Sequence, residues 1–97
     1  MGATTFSCTA VGKNIREAFQ EAVKQAQYDY GHAGYTGSIA EKDSVLDVSE
    51  GRVFTPEEGV ARAEQLMDDS RVSDKWGPAG AIKLTDGRWL FFGWVSC

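Results

Sequence analysis

Apolar positions along this chain either alternate or fall at helical spacing, and the last such stretch is apolar on both sides. Residues Ala81 to Val95 read AIKLT, then Asp86-Gly87, then RWLFFGWV. An Asp-Gly pair between two alternating apolar runs is a strong local signal for a β-hairpin. A two-residue turn with Asp86 and Gly87 at positive φ pairs Thr85 with Arg88, Leu84 with Trp89 and Ile82 with Phe91. Side chains alternate along a strand, so this register puts Ile82, Leu84, Trp89, Phe91 and Val95 on one face. The opposite face carries Lys83, Thr85 and Arg88, but also Leu90, Phe92 and Trp94.

Upstream, Thr4 to Val11 is rich in β-branched residues and predicts a first strand ended by Gly12. Asn14 is a candidate N-cap, with Glu17 three residues on, and Ile15, Phe19, Ala22, Val23 and Ala26 form the stripe of an amphipathic helix stopped at Gly31. Ser38 to Val48 predicts a second strand, with Ile39-Ala40-Glu41 and Val45 to Val48 as its apolar pieces and a polar bulge at Glu41-Lys42-Asp43. Thr55-Pro56-Glu57-Glu58 has a capping residue, a proline suited to the first helical turn and the reciprocal Glu. Val60, Ala63, Leu66 and Met67 supply that helix with its buried stripe, and it should fade around Asp68 to Ser70. The expectation is one α+β domain over residues 1–97, in the order β-α-β-α-β-β. Two helices on one face of a mainly antiparallel four-stranded sheet is the economical packing, with the strand order open.

Composition narrows the classes. Of the 97 residues 42% are apolar and 25% charged, the balance of a globular domain rather than a disordered chain. The net charge of −4 disfavours sequence-independent nucleic-acid binding, which relies on Lys and Arg to neutralise phosphates. No apolar run approaches the ~18 residues of a membrane span, and MGATTFSCTA has neither the basic nor the apolar region of a secretory signal. A cytoplasmic setting is therefore expected, with Cys8 and Cys97 as reduced thiols. The two cysteines lack metal-binding spacing, and no metal or cofactor is expected.

Two places could carry function. If helices cover only one face, Leu90, Phe92 and Trp94, joined by Trp76, stand in water. Burying each such side chain is worth roughly 1.5–3 kcal/mol, so an exposed stripe implies a protein partner or a homodimer. The alternative is a small-molecule or nucleotide site, conceivably enzymatic, in the segment 27–37, where Tyr28, Tyr30, His32 and Tyr35 lie among glycines. That segment matches neither a dinucleotide fingerprint nor a P-loop. His32 could act as a base with Asp29 or Glu41, yet no nucleophile motif accompanies it, so no catalytic residue is assigned.

The strings YDYGHAGYTGSIAEKD and DKWGPAG resemble segments of small proteins of phages and of bacteria carrying them. The resemblance spans much of the chain and carries no activity with it. It implies a small α+β binding module, or an inhibitor of host machinery such as a defence complex, with no catalytic residues to transfer.

Overall fold

The structure is a computed structural model that describes residues 3–30, 38–39, 42–74 and 76–96. The elements are β1 (Ala3–Val11), α1 (Ile15–Tyr30), β2 (Val45–Asp47), α2 (Pro56–Leu66), β3 (Ala79–Lys83) and β4 (Arg88–Ser96). They form the expected α+β domain with a four-stranded sheet, in the spatial order β1-β4-β3-β2. β1 and β4 pair antiparallel along their whole lengths, from Ala3 opposite Ser96 to Val11 opposite Arg88. β3 pairs antiparallel with β4, whereas β2 runs parallel to β3 and reaches it through α2. A parallel pair needs such a crossover, because a tight turn cannot reverse the chain twice.

Both helix starts form as their sequences dictate. The Asn14 side chain accepts from the Glu17 amide at 2.9 Å, while the Glu17 carboxylate accepts from the Lys13 amide at 3.1 Å. At α2 the Thr55 hydroxyl accepts from the Glu58 amide at 3.2 Å, and the Glu58 carboxylate accepts from the Thr55 amide at 3.1 Å, a complete capping box. The same contacts hold the Glu58 carboxyl below its ordinary pKa, the hydrogen bond from the Thr55 backbone amide contributing most. α2 ends at Leu66, slightly earlier than its sequence suggests.

The hairpin differs from expectation by one residue. Ile82 lies opposite Leu90 and Lys83 opposite Trp89; the Leu84 amide donates to the Arg88 carbonyl at 2.9 Å and the Gly87 amide to the Leu84 carbonyl at 3.3 Å. The loop is therefore Thr85-Asp86-Gly87, and within it only Gly87, at φ 85°, is left-handed. This is the three-residue hairpin loop that closes with a left-handed glycine, rather than the two-residue turn. Asp86 spans it, accepting from the Arg88 amide at 3.1 Å and from its guanidinium at 2.8 Å. A shift of one residue exchanges the faces of a strand. Ile82 and Leu84 consequently lie with Leu90 and Phe92, not with Trp89 and Phe91.

Nor do the helices share a face. Ala18, Ala22 and Ala26 of α1 pack on Phe6, Trp89, Phe91 and Val95, and the ring of Phe19 meets Phe91 edge to face at 5.9 Å. Ala63 and Leu66 of α2 pack on the other side, against Ile82, Leu84, Leu90 and Phe92. A hairpin apolar on both faces needs a cover on each, and the β2-α2-β3 crossover supplies the second. The expected second strand is also shorter than its sequence suggests. Ser38 and Ile39 lie outside any strand, the Ile39 carbonyl accepts from the Lys42 amide at 2.9 Å, and Ile39 is buried under α1.

Candidate functional site

The stripe expected to meet a partner is largely interior. Leu90 is 3% exposed and Phe92 is fully buried, both beneath α2. Trp94 is half-buried, and its indole Nε1 donates at 2.8 Å to the carbonyl of Met67, just past the end of α2. That bond satisfies one of the carbonyls a helix C-terminus leaves unpaired. Trp76 stays 64% exposed in the loop before β3, where its amide donates to the Asp74 side chain at 2.9 Å, and it does not belong to the buried cluster of Leu90 and Phe92. The four residues do not make one open apolar surface. The physical reason is the second helix on the second face.

The alternative site is not assembled among the described residues. Tyr28 is 87% exposed on the last turn of α1, and Tyr30 ends that helix. His32 and Tyr35, together with the proposed stop at Gly31, lie outside the described residues.

A different feature stands out at the edge of the sheet. β1 is an outermost strand with the sequence ATTFSCTAV, nine residues without a charge or a proline. Its inner side is paired with β4 throughout, and among the described residues nothing pairs with its outer side. Natural edge strands are usually blunted by brevity, charge, proline or a bulge, because their unpaired amides and carbonyls attract another strand. The opposite edge follows that rule. β2 has three residues, the chain then departs through Glu50 and Gly51 at φ 57° and 76°, and it returns only for the single bridge of Phe54 to Leu84.

Each face of β1 borders a groove. On the α1 side a groove of ≈ 330 Å³ runs along Thr5 to Thr9, walled by Ala22, Gln25, Ala26 and Asp29. On the α2 side a groove of ≈ 230 Å³ lies between Thr5, Ser7, the helix residues Val60 and Glu64, and Met67 just past the helix. This second groove exists because α2 sits over β3 and β4 and leaves Thr5, Ser7 and Thr9 exposed. At the hairpin end of β1 the Arg88 guanidinium pairs with Asp86 at 2.7 Å and donates to the Thr9 hydroxyl at 3.3 Å.

One thiol lies in the first groove. Cys8 lines it, half-buried and free, and burial pushes its thiol up to about 11. A thiol held protonated at neutral pH is a poor nucleophile, since the thiolate is the reactive form. Among the described residues no group of His, Cys, Asp and Glu could hold a metal ion, and no helix is long and apolar enough to cross a membrane. Lys42 is 4% exposed, but its ammonium donates to the carbonyls of Asp74 at 3.4 Å and Gly77 at 3.0 Å, tying the loop before β3 to the turn before β2. Sequence reasoning placed Lys42 in a polar bulge and did not single out β1. The available signal was the absence of charge over Ala3–Val11.

No protein-family model, curated protein or solved structure matches the chain.

Proposed function

We propose that this protein is a non-enzymatic interaction module that binds an extended segment of a partner protein along the outer edge of β1. The observation that carries the reading is the uncharged, nine-residue edge, unpaired on its outer side among the described residues, with a groove on either side. In strand addition, main-chain hydrogen bonds give affinity, and pockets on the two faces receive alternate side chains of the incoming strand. β1 offers both at once. The likeness of YDYGHAGYTGSIAEKD and DKWGPAG to segments of phage-borne proteins supports a host protein as the partner, with the module acting as its inhibitor. The unpaired thiol of Cys8 supports a reducing, cytoplasmic setting.

Hydrogen exchange of the isolated protein tests the edge directly. Outward amides of β1 should exchange fast while those bonded to β4 stay protected. Ligands selected from a random peptide library should then slow the outward amides. Protection of every amide from Ala3 to Val11 in the isolated protein, or selected ligands that act only on other elements, would sink the reading.

A further inference from the structure

We infer that the segment received by β1 is basic, with Lys or Arg on both faces of the incoming strand; this rests on the strand-addition reading above. Among the described residues, the charged lining of the α1-side groove is Asp29 and that of the α2-side groove is Glu64. Both side chains are exposed, and neither has an ion-pair partner among the described residues. Among the described residues Asp29 is approached by the Gln25 amide alone, at 3.4 Å from each carboxylate oxygen.

Helix geometry extends the acidic wall. Residues four apart share a helix face, so Glu17, Glu21, Gln25 and Asp29 form one row, and the Gln25–Asp29 end of that row overhangs Thr5 to Thr9. The Glu17 and Glu21 end borders the turn after Val11, beside Lys24. The described cations at this end are Lys13, Lys24 and Arg88, and Arg88 is already paired with Asp86.

An added strand lies about 4.8 Å outside β1 and sends successive side chains to opposite faces. One set then enters the groove at Asp29 and the other the groove at Glu64. A basic segment meets a carboxylate on each face, and the chain's net charge of −4 steers it toward the edge. An acidic segment is repelled on both faces. A second copy of this chain is disfavoured on the same ground, because pairing β1 with itself brings two acidic rows together.

The experiment uses the full chain and three nonapeptides in which pairs of valines alternate with pairs of lysines, glutamines or glutamates, so that both faces of the strand carry the variable residue, measured by fluorescence anisotropy at low and high salt. The lysine peptide should bind about fivefold tighter than the glutamine peptide, the scale of two exposed charge pairs, and the glutamate peptide most weakly. High salt should erase the difference, as should the double variant Asp29→Asn/Glu64→Gln. The reversal Asp29→Lys/Glu64→Lys should favour the glutamate peptide. Amide shifts must fall on β1; a lysine peptide that shifts only α1 overturns the inference. Equal binding of all three peptides on β1 overturns the charge preference and leaves the edge reading standing. Failure of all three to bind removes both. Concentration-dependent self-association in ultracentrifugation, abolished by Ser7→Lys, makes the occupant a second copy and overturns the basic-partner assignment.

Discussion

The two faces of the sheet are closed by different means, and the difference locates the open edge. On one face α1, sixteen residues long, presents Ala18, Ala22 and Ala26, so the helix comes close and the bulk of the core comes from Phe6, Trp89 and Phe91 of the sheet. On the other face α2 has eleven residues and packs mainly on β3 and β4; Phe54 and Val72, from the chain on either side of it, complete the cover. The longer helix shelters Phe6 and partly shelters Cys8 and Ala10 on β1, whereas the shorter one leaves Thr5, Ser7 and Thr9 in water. Among the described residues this strand is covered on one face, bare on the other and unpaired on its outer side. Cores can be equally tight while coverage is unequal.

If both faces are true core, truncating either central aromatic should be severe. Phe91→Ala and Phe92→Ala should each lose about 3–5 kcal/mol, read from urea midpoints, because each ring is fully buried. A Phe92→Ala midpoint equal to the parent's would break the comparison and return that face to solvent.

Two glycines sharpen it further. A Cβ on Gly80 would stand 2.6 and 2.8 Å from atoms of the Phe92 ring, so Gly80→Val should cost about 1–3 kcal/mol through overpacking. On Gly59 the tightest contact is the far end of Leu84, at 2.6 Å, and alanine regains about 1 kcal/mol of helix propensity. Thermal melts should therefore place Gly59→Ala near the parent and Gly80→Val well below it.

The Trp94 indole ties β4 to the end of α2. Trp94→Phe keeps most of the ring and loses the hydrogen bond to Met67, about 1 kcal/mol, or roughly 4–8 °C in Tm for a domain of this size. An unshifted Tm would mean that the bond adds nothing to the closure of the α2 face.

The smallest effect belongs to Cys8, on the α1 side. Its folded pKa of about 11 lies above the ordinary 9.0, so the folded state holds its proton longer than the unfolded chain does. The stability linked to this group is fully present below pH 9.0 and is lost as pH rises through about 11. Cys8→Ser should remove that part of the alkaline loss, seen as the difference between the two proteins' urea midpoints. Parallel curves across the window would show that the thiol is not sheltered by α1.

How much of this was legible in the chain differs from element to element. The caps at Asn14 and Thr55 are local devices, written within four residues, and each formed as its sequence required. The hairpin was legible as a hairpin but not in its register. Asp-Gly suits both a two-residue and a three-residue loop, and the choice moves Ile82 and Leu84 to the other face. Leu90 and Phe92 were legible as unusual, yet their role inverted once α2 was found above them.

The sequence by itself determined where the two helices begin, that the final hairpin is apolar on both sides, and that Ala3–Val11 carries no charge. These are properties of residues and their near neighbours, fixed by periodicity and hydrogen-bonding reach. Only the tertiary structure decided that α2 crosses to the face opposite α1 and that β1 lies outermost, because both follow from which strands pair across long stretches of chain. The uncharged strand became a candidate site for that reason: in the middle of a sheet the same nine residues would have both their edges paired.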